Sequence, residues 1–95
     1  PYLAQVKERI LQFWQYPEEA QPGLQGQIDL AFIVERDGNV SEIKIVSSSN
    51  HKALDKGVLE AIERAAPFHP IPLEIKEKRL PLLGTFLYNK LGHKN

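Results

Sequence analysis

Apolar residues recur along this chain with two different periods, and the switches between them mark out its elements. From Tyr2 to Trp14, the residues Leu3, Val6, Ile10, Phe13 and Trp14 fall at i, i+3, i+7, i+10 and i+11, one stripe of a 3.6-residue period. Gln5, Lys7, Glu8, Arg9 and Gln12 lie mostly on the other side. This predicts an amphipathic helix. Pro17 stops it, because Tyr16, placed before a proline, is steered out of the α region. Residues 18–20 would add one more helical turn, after which Pro22-Gly23 and Gly26 punctuate a loop.

From Gln27 to Arg36 the period drops to two. Ile28, Leu30, Phe32 and Val34 point one way, and Gln27, Asp29, Ala31, Ile33 and Glu35 the other, as in a strand with one face on a core. Asp37-Gly38 predicts a hairpin turn, since glycine takes positive φ without penalty. Val40 to Ser47 returns as the partner strand with Ile43 and Ile45 inward; the flanking valines break strict alternation and loosen its register. Ser47-Ser-Ser-Asn50 is rich in helix-capping side chains. A second helix is predicted from Lys52 to Ala66, with Leu54, Val58, Ala61, Ile62 and Ala65 as its buried stripe and Pro67 as its stop.

Pro67, Pro70 and Pro72, with Phe68 and Ile71 between them, predict a stiff extended connection, and residues 74–79 a solvated charge run. The last apolar run, Leu80-Pro-Leu-Leu-Gly-Thr-Phe-Leu-Tyr88, reads as a final strand. Pro81 cannot donate to a ladder, which places the run at a sheet edge, and the polar residues after it look too few to form another strand. Pro81 and Gly84 would limit the usable ladder to residues 83–89. The predicted fold is α+β, two helices packed on one face of a three-stranded antiparallel sheet, in the order α-β-β-α-β.

Composition narrows the function classes. Ninety-five residues, 42% hydrophobic and 25% charged, suit a single small globular domain. Twelve basic residues balance twelve acidic ones with alternating signs, so no global field attracts nucleic acid or an anionic membrane. There is no cysteine, hence no disulfide or thiolate site. His51, His69 and His93 have no spacing that sets two metal ligands on one helix face. Glu60 and Glu63 sit on a helix flank with Lys56 four residues before Glu60, an arrangement of solvated charges; Glu18-Glu19 lie in a turn. Ser47 to Ser49 lack a nucleophile-elbow frame, and no glycine-rich phosphate loop is present. No catalytic residue, metal or cofactor is expected.

Two aromatic features remain. Trp14-Gln-Tyr-Pro17 closes the first helix, either as a core anchor or as part of a binding surface. Phe86 and Tyr88 share the core-facing side of the last strand, leaving Leu83, Thr85, Leu87 and the backbone to meet a partner. An open edge of this kind is either an aggregation hazard or a docking site for another chain.

The ordered set of motifs resembles the C-terminal domain of the TonB family of energy transducers, including its TolA-like relatives. Gln15-Tyr16-Pro17 after a helix ending in an aromatic, Gly26 before the alternating strand, Asp37-Gly38 with Val40 to Val46, Ser48-Ser49, Leu54-Asp55, and Ala66-Pro67-Phe68 running to Pro72 all carry the resemblance, over residues 2–89. Asn50 stands where many relatives have glycine, and asparagine also accepts the left-handed region.

The resemblance implies a periplasmic domain, tethered to the inner membrane by an upstream anchor and linker. It would bind the plug segment of an outer-membrane TonB-dependent receptor by β-strand addition, and pass on force from inner-membrane proton-driven motor proteins. The partner-binding residues it points to are Gln15, Tyr16, Pro17, Leu83, Thr85, Phe86, Leu87, Tyr88 and Asn89. A TolA-like linker that binds other envelope proteins without driving transport is the second reading. A small ligand-binding domain or enzyme is the third. A homodimer through paired edge strands is a further expectation.

Overall fold

The computed structural model describes residues 1–17, 23–89 and 92–94, the last three by their backbone alone. The elements are α1 (Tyr2–Phe13), β1 (Gly26–Glu35), β2 (Val40–Ser47), α2 (Lys52–Ala65), β3 (Arg79–Asn89) and β4 (Gly92–Lys94). The strands form one antiparallel sheet in the order β2-β1-β3-β4. The predicted α-β-β-α-β order and three-stranded β2-β1-β3 sheet are present, and β4 is added to them. The tail is therefore long enough for a strand after all. Three residues held by main-chain bonds need no apolar pattern, so periodicity could not announce them. The turn expected over residues 18–20 lies outside the described residues.

One core joins the sheet to both helices. Ile28, Leu30, Phe32 and Val34 of β1 are buried, as their alternation requires, and all five residues of the α2 stripe are fully enclosed. In α1 the buried residues are Tyr2, Val6 and Ile10, followed by Trp14 at the C-cap. Leu3, expected in this stripe, is 54% exposed. The helix is rotated so that Tyr2 takes the core position, where its hydroxyl donates to the carbonyl of His69 at 2.6 Å. Arg9 then reaches the last turn of α2, its Nε donating to the Ala65 carbonyl at 2.6 Å. That carbonyl belongs to the orphan set that every helix C-terminus leaves.

The β1–β2 turn is held from both sides. Gly38, buried at φ +93°, accepts a hydrogen bond from the Phe68 N–H at 2.8 Å, and a Cβ added there would lie 2.0 Å from the Phe68 carbonyl oxygen. The Ala-Pro-Phe exit of α2 is thereby fastened to the hairpin. At the start of α2, Asp55 accepts from the Ser49 N–H at 3.0 Å, the Ser49 hydroxyl at 2.6 Å and the Ser48 hydroxyl. Burial raises the Asp55 pKa, but these hydrogen bonds outweigh it and hold the carboxyl below its usual range. Asn50 adopts φ 68°, the left-handed conformation that its side chain tolerates.

The loosened register of β2 has a specific form. Asp29 and Leu30 pair with Ser47 and Ile45, and Ala31 and Ile33 pair with Lys44 and Ser41, so β2 carries an extra residue at each of two places. These are β-bulges. One turns Val46 out to solvent, at 59% exposure, and the other holds Glu42 at φ 52°.

Candidate functional site

β3 has two unlike edges. Its inner edge runs against β1 in an unbroken register of ten residue pairs, from Gly26↔Tyr88 to Glu35↔Arg79. Pro81 and Gly84 lie within this ladder, opposite Ile33 and Leu30, without interrupting it. The outer edge is paired only at its end, where Leu87, Tyr88 and Asn89 face Lys94, His93 and Gly92 of β4. From Arg79 to Phe86 it has no strand partner among the described residues. The open stretch is thus shifted toward the start of β3, away from three of the expected docking residues.

Backbone alternation determines which groups that open edge presents. The Glu35 N–H donates to Asn39 across the hairpin at 2.7 Å, so the polar groups of Glu35 point toward β2. Those of Val34, Phe32 and Leu30 then point toward β3 and meet Leu80, Leu82 and Gly84. The polar groups of Pro81, Leu83 and Thr85 face outward. Pro81 agrees independently, since a proline is accommodated in a sheet where its nitrogen faces away from the ladder. The open edge consequently offers N–H and C=O from Leu83 and Thr85, and C=O alone from Pro81.

The side chains divide between the two faces of the sheet as the sequence indicated. Leu83 is 67% exposed and Leu87 47%, while Thr85 is exposed and donates to Asp29 Oδ1 at 2.9 Å. Phe86 and Tyr88 are buried, and by the same alternation their polar backbone groups face β1. They join Trp14 in an aromatic cluster of edge-to-face contacts, with ring centroids 5.2 Å apart for Trp14–Phe86 and 5.3 Å for Trp14–Tyr88. The Trp14 indole N–H donates to the Tyr88 hydroxyl at 2.8 Å, and burial pushes the Tyr88 pKa up to about 12.

Gln15-Tyr16-Pro17 is moored to this cluster. Tyr16 meets Tyr88 edge-to-face at 5.7 Å, and its hydroxyl donates to the Leu24 carbonyl at 3.1 Å. Pro17 lies over Gly57 of α2, where a Cβ would come within 2.9 Å of both the proline ring and the Tyr88 hydroxyl. A glycine inside a helix costs about 1 kcal/mol relative to alanine, and the close approach of Pro17 and Tyr88 accounts for it here. Gln15 is exposed. The structure therefore brings Tyr16, Pro17, Phe86 and Tyr88 together, whereas Leu83 and Thr85 lie further along β3, on its opposite face.

Leu3 was assigned wrongly by periodicity, and Leu11 was given no place by it. Leu3, Lys7 and Leu11 form a second stripe on α1, offset by one residue from Tyr2, Val6 and Ile10, and this stripe overlooks the open edge of β3. Between them runs a largely apolar groove of about 360 Å³, floored by Phe32, Leu82 and Phe86. The i, i+4, i+8 spacing of Leu3 and Leu11 was the available signal.

Other chemistry is sparse. Among the described residues no group of three His, Asp or Glu side chains could hold a metal, and no helix is long and apolar enough to cross a membrane. Glu60 pairs with Arg64 across one helical turn at 3.9 Å, both side chains exposed.

These features define a small α+β domain, two helices on one antiparallel sheet whose β3 strand is open along part of its outer edge. Residues 14–89 match the family described as Gram-negative bacterial TonB protein C-terminal, and the chain belongs to that family. It is 33% identical to Protein TonB of Helicobacter pylori over 82 residues, 85% of this chain and 29% of that protein. It is 32% identical to Protein TonB of Pseudomonas putida, over 84% of this chain and 34% of that protein. The chain thus spans about three-tenths of the length of these relatives. The solution structure of the H. pylori TonB C-terminal domain, residues 179–285, superposes with a TM-score of 0.76 at 31% identity, covering 93% of this chain and 79% of that one. TolAIII bound to a peptide derived from the N-terminus of TolB shares the fold, with a TM-score of 0.59 at 15% identity, covering 86% of this chain and 69% of that one.

Proposed function

We propose that this domain is the periplasmic docking module of a TonB-type energy transducer. It takes the plug segment of an outer-membrane transporter as an added strand on the outer edge of β3. An upstream anchor and linker would couple it to a proton-driven motor in the inner membrane. One observation carries the reading: ten of the eleven residues of β3 are laddered to β1, yet among the described residues its outer edge has no strand partner from Arg79 to Phe86.

The energetics suit a pulling device. The eleven residues of β3, less the three paired with β4, leave eight, a span of about 27 Å. Such an edge forms about four to six interchain hydrogen bonds, each worth about 0.5–1.5 kcal/mol net, so binding is reversible at equilibrium. Pulled along the strand axis, the bonds share the force in parallel. The ten-pair ladder behind β3 passes that force into the core.

The peptide-bound TolAIII neighbour supports peptide docking on this fold, and it also favours a second reading: a TolA-like envelope linker that binds without driving transport. The partner's identity separates the two. Titrating the ¹⁵N-labelled domain with peptides from transporter plug N-termini should move the amides of residues 80–86 most. Binding that leaves those amides unmoved would contradict strand addition.

A further inference from the structure

We infer that α1 forms the second wall of the docking site, reading side chains of the added strand through the stripe Leu3, Lys7 and Leu11. The inference rests on the strand-addition reading and says which strand is preferred. A strand laid along the open edge of β3 turns alternate side chains toward the helices, into the groove between α1 and β3. Gly84 leaves that side bare, and the Phe86 ring leans over the gap, within 2.9 Å of where a Cβ would be. The Phe86 ring covers Gly84, and the groove beyond it takes a residue of the partner, its lining calling for a branched aliphatic side chain.

Among the described residues Lys7 is the only charged one lining this groove, and it forms no ion pair with any described carboxylate. It sits on α1 between Leu3, which is 54% exposed, and Leu11, which is half-buried at the margin of the core. The occupant is therefore an extended segment of an envelope protein with aliphatic residues at alternate positions on its helix-facing side and a carboxylate at the position that meets Lys7. Backbone pairing supplies affinity without regard to sequence, and the α1 wall supplies the selection.

The test uses three blocked ten-residue peptides of alternating valine and threonine, in which one valine near an end is replaced by glutamate, glutamine or lysine. Affinity is measured by fluorescence anisotropy, and contact with the edge by the amide shifts of Leu83 and Thr85. The wild-type domain should bind the glutamate peptide about three- to tenfold more tightly than the lysine peptide. Lys7→Glu should reverse that order, and Leu3→Ser should weaken all three by about threefold or more. Both positions are exposed, so both variants should melt near the wild type. If Leu83 and Thr85 shift but Lys7→Glu leaves the glutamate-to-lysine ratio unchanged, the α1 wall is overturned while strand addition stands. If no peptide moves Leu83 or Thr85, the edge reading falls and this one with it.

Discussion

The sheet has two outer sides, and they are built in opposite ways. β2 is interrupted by two bulges, holds Glu42 at positive φ, and sets Glu42 and Lys44 out in solvent. Bulges and charges are how an edge is kept from pairing with another chain. β3 has neither an irregularity in its ladder nor a charge between Leu80 and Asn89, and an apolar groove runs beside its open stretch. One edge of this small sheet is defended, and the other carries neither of those defences, which is the contrast the proposed docking side rests on.

The largest expected effect comes from breaking the defended side. Gly38→Ala forces a side chain into a left-handed backbone and onto the Phe68 carbonyl, and should destabilise the domain by roughly 3 kcal/mol or more in urea unfolding. A wild-type midpoint would mean that the turn is not anchored as described. On the available side, Leu83→Pro removes an outward N–H and spares the inner ladder. Peptide affinity should fall about tenfold or more with a modest change in melting, whereas Gly84→Pro should disrupt the β1 ladder itself. Equal effects of the two prolines would refute the alternation.

Tyr88→Phe removes the acceptor of the Trp14 indole N–H and should cost about 1–2 kcal/mol of stability. It should leave peptide affinity nearly unchanged, because the Tyr88 side chain is buried in the core. The smallest effect belongs to Arg79, which bonds Glu35 at 2.9 Å and Glu42 at 2.6 Å across the end of three strands. Arg79 first, and Ser41 second, holds the Glu35 carboxyl below its usual range. A carboxyl lowered in this way stabilises the fold above its unfolded pKa, and that contribution is lost as pH falls through the folded value. In Arg79→Ala the Glu35 side-chain carbon, followed by NMR, should titrate at higher pH. An unchanged titration would mean that the pair does not persist in solution.

The contrast between the two edges was only partly legible in the sequence. Alternation in β1 and the α2 stripe located the core because burial imposes strict periods on both. The bulges of β2 appeared only as broken alternation at Val40 and Val46. Leu3 misled, since a helix stripe read from spacing alone can be rotated by one residue, and the hydroxyl of Tyr2 decided the rotation. The outer edge of β3 was recognised as open, with its usable part expected over residues 83–89, whereas the stretch without a strand partner among the described residues is 79–86. The cause is β4, which pairs through backbone and leaves no trace in side-chain pattern. Lys7 and Leu11 lay on the far side of a helix whose second wall, β3, is some seventy residues away.

Amide hydrogen exchange at Leu83 and Thr85 tests the docking edge most directly. In the free domain these two N–H groups should exchange fast while those of Leu82, Gly84 and Phe86, bonded to β1, exchange slowly. A plug peptide at saturation should then slow Leu83 and Thr85 selectively. Protection of both in the free domain, or fast exchange at both in the saturated complex, would contradict the account.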